Sequence, residues 1–181
     1  MARAISIRIC EVKNMINTKS LRCLIGGLGM ALPFIVAILS VVFGHGFPHS
    51  ISATYFLDCC VAPFMIILGS AGMLLFTYKG YDSVDNILNS LAAICAICIC
   101  LFPCASTKAE LIGTFQLPRQ ISGWIHNGSA AGFFGILAYN SLFQFTKGSD
   151  NPTPNKIKRN CIFRICGIGM ILSFVLLILA S

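Results

Sequence analysis

The stretch CCVAPFMIILGSAGMLLFTY, residues 59–78, contains no charged side chain. The polar segment KGYDSVDN follows at residues 79–86, and a second apolar stretch, ILNSLAAICAICICLFPC, occupies residues 87–104. A bilayer core about 30 Å thick is crossed by roughly 20 apolar residues in a helix. The region therefore predicts two membrane-spanning helices joined by a short polar loop.

Three further apolar blocks lie on either side of this pair, and the loops between blocks are too short to hold a separate soluble domain. The block at 123–145 is the least regular, because glycines and the amides Asn140 and Gln144 interrupt it. Four spanning helices with an interfacial segment are therefore the alternative to five. We predict an all-α polytopic membrane bundle of about five helices, at residues 21–43, 59–78, 87–104, 123–145 and 161–180, in a single domain over residues 21–181.

The composition excludes several classes of protein. Hydrophobic residues make up 56% of the 181 residues and charged residues only 10%. A soluble domain carries about 25% charged residues, and disordered chains are far less apolar than this one. The net charge of +7 is spread between apolar blocks, so it indicates membrane topology and no nucleic-acid partner.

The basic residues also predict an orientation. Most Lys and Arg lie in the tail at residues 1–20 and after the fourth block, whereas residues 44–58 contain none. By the positive-inside rule, the protein is expected in the inner (cytoplasmic) membrane, with a cytoplasmic amino terminus and an outer carboxyl terminus. The first apolar block exceeds the 7–15 residues of a signal peptide core and is expected to be retained. Translation from Met15 instead of Met1 stays open.

All three histidines are expected on the outer side, with a carboxylate close to them in the sequence. Three imidazoles and a carboxylate are ligands that zinc accepts, but a loop rich in Gly and Pro gives His45 and His49 no helical spacing. We predict no bound metal or cofactor, and expect residues 48–55 to fold back over the bundle and meet His126 and Asn127. The predicted outer polar cluster is His45, His49, Ser52, Asp58, His126 and Asn127.

A second polar cluster is predicted on the inner side. Asp85 is suited to cap the third helix, and interhelical hydrogen bonds account for the amides without any ligand. The alternative is a lipid headgroup site that uses Lys79, Lys147 and the basic fourth loop, because anionic lipids attract such loops by about 1 kcal/mol per basic residue. The predicted inner cluster is Lys79, Tyr81, Asp82, Asp85, Asn86, Asn89 and Asn140.

The cysteines allow two interpretations, a redox pair or a packing role within a helix, and a structural disulfide is also expected. Cys95 and Cys98 have the spacing of a thiol–disulfide pair, although a thiol within an apolar helix usually behaves as a small hydrophobic side chain. Cys104 is expected at the outer, oxidising face together with Cys59 and Cys60, where a disulfide from Cys104 to either one can persist.

Three short motifs carry a resemblance to known proteins: residues 48–55, PHSISATY; residues 76–82, FTYKGYD; and residues 125–134, beginning with Ile125-His126. The chain resembles small uncharacterised multi-pass membrane proteins of bacteria, from about Leu21 onward. It has a more distant likeness to the Frag/DRAM/Sfk membrane group, whose Pro-x-Ile-Ser type segment lies on a non-cytoplasmic loop. Pro48, Ile51, Ser52 and His126 are the matching positions, and the resemblance implies a polytopic membrane protein without naming a catalytic residue.

These observations favour a non-enzymatic membrane protein that contacts lipids or a partner. Two enzymatic alternatives remain: a metal-dependent hydrolase using the outer His and Asp residues, and a thiol–disulfide oxidoreductase using Cys95 and Cys98. Membrane lipids are the expected partners. The sequence leaves open whether a protein partner or a second copy binds.

Overall fold

The computed structural model describes residues 2–78, 83–147 and 153–179, with side chains described at 20–78, 83–147 and 153–176. Its long helices are α1 (Ala2–Val42), α2 (Asp58–Thr77), α3 (Ser83–Leu101), α4 (Arg119–Tyr139) and α5 (Pro154–Leu179). Short elements are a 3₁₀ turn at Ser52–Phe56, a hairpin of β1 (Leu111–Ile112) and β2 (Leu117–Pro118), and a π-helical segment at Asn140–Gln144 that continues α4. The predicted all-α helical bundle is confirmed.

Four helices begin at least four residues before their predicted apolar blocks. α1 begins at Ala2, so its helical backbone includes the predicted basic tail, while α3 begins at Ser83, α4 at Arg119 and α5 at Pro154. Hydropathy detects only the part of a helix that faces apolar surroundings. Polar residues with adequate helix propensity continue the same helix beyond it.

Consecutive helices run antiparallel, as the contacts between α1 and α2 show. The Cys60 thiol, near the start of α2, lies 3.4 Å from the carbonyl oxygen of Val36, near the end of α1. At the other end of α2, the Arg22 guanidinium donates to the Tyr78 hydroxyl at 2.7 Å. The middle of α1 therefore lies next to the end of α2.

Small residues let α2 and α3 approach closely. A Cβ atom added to Gly72 would lie 3.1 Å from the Cβ of Ala96 and 3.4 Å from the carbonyl oxygen of Ala93. Ala92, Ala93 and Ala96 are completely buried. In lipid, where burying apolar surface gives no advantage between helices, association depends on this kind of close packing.

α4 lies alongside the whole length of α3. Four residues follow one another along α4 and into the π segment: Ser122, His126, Gly132 and Asn140. Their partners lie progressively nearer the start of α3. The contacts are Ser122 with Pro103, His126 with Phe102, Gly132 with Cys95, and Asn140 with Asn89. We refer to the two ends of the bundle by these residues, as the His126 end and the Asn140 end.

Four helical stretches are long and apolar enough to cross a membrane: Ser20–Val42, Asp58–Thr77, Ser83–Leu101 and Pro154–Leu176. α4 is long enough, but its polar side chains lower its hydropathy. Ser122, His126 and Asn140 are buried against α3 rather than exposed to lipid. α4 is the fifth long helix of the bundle and lies beside α3, which is one of the four stretches that qualify by hydropathy.

Replacing Gly72 by Leu should lower the free energy of unfolding by about 2 kcal/mol, because overpacking a tight contact forces neighbouring atoms apart. Gly69, one turn earlier in α2, has no atom within 4 Å of an added Cβ and provides the matched control. Thermal unfolding in detergent measures both variants. Equal melting temperatures for Gly72→Leu and Gly69→Leu would contradict the described α2–α3 contact.

Candidate functional site

His126 connects three parts of the chain at the His126 end. Its side chain is 3% exposed, and Nδ1 lies 2.8 Å from the carbonyl oxygen of Phe102. A carbonyl oxygen only accepts, so Nδ1 carries the hydrogen and donates. Nε2 lies 3.0 Å from the Ser52 hydroxyl oxygen, and in the neutral imidazole Ser52 donates to it. The ring therefore holds the loop before α2 against α3 and α4.

The sequence predicts that residues 48–55 fold back and meet His126 and Asn127, and the structure shows one such contact, between Ser52 and His126. The other members of the predicted outer cluster, His45, His49, Asp58 and Asn127, are all exposed. Over residues 2–78, 83–147 and 153–179, no group of three His, Cys, Asp or Glu side chains lies close enough to hold a metal ion. Both nitrogens of His126 are already engaged with protein groups.

The same end is closed by further contacts between α4 and the segment after α3. The Ser122 hydroxyl donates to the carbonyl oxygen of Pro103 at 2.8 Å, one turn before His126 on the same face of α4. A Cβ at Gly123 would lie 2.9 Å from the Cβ of Ala105, so α4 touches this segment directly. The His126 end is thus a hydrogen-bonded, closely packed seam.

The predicted disulfide is not formed in the structure. Cys59, Cys60 and Cys104 are free thiols. Cys60 Sγ faces Cys59 Sγ at 3.5 Å and the α1 backbone, while the Cys104 thiol contacts the Ser106 hydroxyl at 3.2 Å. The order of elements predicts that these cysteines lie at the same end of the bundle. It could not predict the distance between two of their side chains.

The two cysteines of the alternative thiol–disulfide oxidoreductase prediction, Cys95 and Cys98, are also free thiols. Cys95 and Cys98 are both partly buried in α3. The Cys95 sulfur lies 3.1 Å from the Cβ position of Gly132, so it fills the α3–α4 interface. This contact corresponds to the packing role of a membrane-embedded thiol.

The predicted inner cluster is partly assembled. Asp85, Asn89 and Asn140 are buried, and the Asn140 amide donates to the Asn89 side-chain oxygen at 3.1 Å. Asn86 is exposed. Gln144, at the end of the π segment, is buried with them although the predicted cluster lacks it. Lys79, Tyr81 and Asp82 lie outside the described residues.

An open cleft of about 580 Å³ lies between the π segment and α5 at the Asn140 end. Lys147 and Arg164 contribute exposed cations from its two sides. The apolar part of the wall comes from Leu142, Phe143 and Ile168, with the Thr146 hydroxyl bonded to the Leu142 carbonyl. The sequence predicts Lys147 as part of a possible lipid headgroup site. It does not predict that Arg164 lines the same cleft, because that depends on how α5 packs.

α5 packs closely against the end of α4 and the π segment at Gly167, next to the cleft. A Cβ at this position would lie 2.6 Å from Leu142 Cγ and 3.2 Å from the carbonyl oxygen of Ala138. The Ser141 hydroxyl also donates to the carbonyl oxygen of Phe163 at 2.6 Å. These contacts pack α5 against the end of α4 and the π segment, next to Arg164 on α5.

The two ends differ in charge. Among the described side chains, the cations at the Asn140 end lie on α1, after the π segment and on α5: Arg22, Lys147, Lys156, Lys158, Arg159 and Arg164. The His126 end has Lys108 and Arg119, together with the acidic Asp58 and Glu110. The cleft therefore lies at the basic end of the bundle.

Replacing His126 by Ala should release the loop before α2. The substitution removes two partly buried hydrogen bonds and leaves the Phe102 carbonyl without its His126 donor, so we expect a loss of about 2 kcal/mol in stability. Hydrogen exchange in residues 48–57 should become faster. His49→Ala, at an exposed position, is the control, and unchanged exchange in His126→Ala would show that this contact does not hold the loop.

No family model, curated protein or solved structure matches this chain. The resemblance to small bacterial membrane proteins and to the Frag/DRAM/Sfk group thus stays a prediction. Function is inferred from the geometry of the two ends.

Proposed function

We propose that this multi-pass membrane protein binds an acidic phospholipid in the cleft between the π segment and α5, without itself catalysing a reaction. The observation that carries the proposal is the position of Lys147 and Arg164 on opposite sides of a cleft whose remaining lining is largely apolar. A phospholipid has the matching form, with an anionic phosphate joined to acyl chains.

The charge asymmetry of the bundle supports the location of this site. Basic residues concentrate at the Asn140 end, which the positive-inside rule assigns to the cytoplasm. We therefore propose the inner membrane, with a cytoplasmic amino terminus and an outer carboxyl terminus. Anionic lipids of the cytoplasmic leaflet attract basic residues by about 1 kcal/mol each.

The depth of the lining residues matches the two parts of a lipid. Ile168 lies one turn deeper along α5 than Arg164, and Leu142 lies more than one turn deeper than Lys147. The cations are therefore at headgroup level and the apolar residues at acyl-chain level. An Arg guanidinium can bind two phosphate oxygens at once, which gives geometric preference beyond simple charge attraction.

The outer surface of α5 continues the apolar wall of the cleft. Its exposed side chains on the described part of the helix are suited to acyl chains: Ile162, Ile165, Ile168, Ile171, Leu172, Val175 and Leu176. The cleft thus opens laterally onto a lipid-facing helix, and a bilayer lipid enters it without leaving the membrane.

The enzymatic alternatives have weaker support. Within the described ranges the histidines do not form a metal-ligand group, and Cys95 packs against α4. Ser52 and His126 do form a hydroxyl–imidazole pair, but the contacts that they make are those of a structural clamp. Lipid binding uses a cleft that is present, so we propose it ahead of catalysis.

Changing both Lys147 and Arg164 to Gln should weaken binding of phosphatidylglycerol about 30-fold, because two basic residues contribute about 2 kcal/mol together. Native mass spectrometry of the full chain in detergent, titrated with phosphatidylglycerol or phosphatidylcholine, measures the bound lipid. Wild type should retain phosphatidylglycerol in preference.

The matched control changes Lys158 and Arg159 to Gln, which removes the same charge from exposed positions that do not line the cleft. It should bind phosphatidylglycerol nearly as well as wild type. Ile168→Trp should reduce binding with no change in charge, by filling the apolar part of the cleft. Equal losses in the cleft and control double variants would mean that the charge acts nonspecifically, and the proposed site would be rejected.

A further inference from the structure

Four polar side chains form a buried layer at the Asn140 end, separate from the cleft. Asp85 and Asn89 are one turn apart on α3, and Asn140 and Gln144 bound the π segment. Their exposed fractions are 4%, 4%, 1% and 3%, respectively. The Asn140–Asn89 hydrogen bond fixes the antiparallel register, which brings Asp85 and Gln144 to the same level one turn away. We call these four residues the polar layer.

The polar layer contains hydrogen-bonding groups that the rest of the described chain does not satisfy. Asn140 uses its amide nitrogen on Asn89, but its Oδ1 has no partner among the described residues. Neither Oε1 nor Nε2 of Gln144 has one there either. Buried polar atoms in this state are unfavourable and uncommon, and an ion or water held between them is a standard explanation.

The backbone changes form at the same place. α4 passes into the π segment at Asn140, and the amide of Phe145 donates to the carbonyl oxygen of Asn140 five residues earlier, at 2.8 Å. Such segments are frequent at functional sites, because they shift side chains and carbonyl groups out of the regular helical pattern. In membrane transport proteins, interrupted helices place oxygen atoms around bound cations.

The polar layer is rich in oxygen and has one carboxyl group. Oxygen ligands suit hard cations, whereas zinc and other transition metals favour imidazole or thiolate, which the layer lacks. One carboxylate balances one positive charge, and the three amides are neutral. Asp85 makes another contact as well, but a carboxylate has lone pairs enough for both.

We propose that the polar layer binds one alkali cation, with the Asp85 carboxylate and the side-chain oxygens of Asn140 and Gln144 as ligands. The Asn140–Asn89 hydrogen bond uses the Asn140 amide nitrogen, so Asn140 Oδ1 is left as a ligand, and Gln144 Oε1 is likewise without a partner among the described residues. The proposal does not depend on lipid binding, since Leu142 and Phe143 of the π segment line the cleft, whereas the polar layer uses Asn140 and Gln144.

The test uses the full chain purified in detergent, with melting temperature measured against NaCl or KCl at constant ionic strength, balanced by choline chloride. We expect a saturable rise with NaCl, KCl or both, and the ion with the lower half-saturation concentration identifies the preferred cation. Asp85→Asn should raise that concentration at least tenfold. Asp58→Asn removes an exposed carboxyl group at the opposite end and should leave it unchanged.

A melting temperature that does not respond to either salt would overturn the proposal, as would an equal response in wild type, Asp85→Asn and Asp58→Asn. Gln144→Leu provides a second test if Asp85→Asn does not yield folded protein. It removes a ligand and also removes two unsatisfied buried atoms. A simple packing role therefore predicts a more stable protein with an unchanged salt response, whereas cation binding predicts loss of the response.

Discussion

The antiparallel packing of α4 on α3 is the contact on which the rest of the structure depends. α4 has too many polar side chains to face lipid on all sides, and a polar group in hydrocarbon must find its partner within the protein. α3 provides these partners at both ends, through the carbonyls after its last turn and through Asn89. Between them, small residues such as Gly132 bring the helices together.

The two ends of this seam have different properties. At the His126 end, each nitrogen of the imidazole has a protein partner and Ser122 reinforces the contact. At the Asn140 end, the helix changes to a π segment and a cleft opens towards α5. The buried side-chain oxygen of Asn140 and both polar atoms of the Gln144 amide lack partners within the described residues. The His126 end is closed by hydrogen bonds, whereas the Asn140 end has an open cleft and these unsatisfied polar groups. Both candidate binding sites therefore lie at the basic end of the bundle.

Much of the architecture could be predicted from hydropathy, because a helix that crosses a bilayer must be apolar over about 20 residues. The contact between the loop and His126 followed from topology, which brought both to one end. The π segment carried no comparable signal, since Asn140 and Gln144 are compatible with an ordinary helix. Lys147 and Arg164 line one cleft, and Cys104 and Cys60 form no disulfide. Both outcomes depend on side-chain packing, which the sequence pattern alone does not predict.

The number of crossings is the most direct test of the central claim that α4 lies at the same depth as α3. Reporter tags at the two termini, each assayed for accessibility from either side of the membrane, distinguish the possibilities. Five crossings place the termini on opposite sides, and our account predicts an inner amino terminus and an outer carboxyl terminus. Both tags on the same side would mean four crossings, and would contradict the full-length α3–α4 seam.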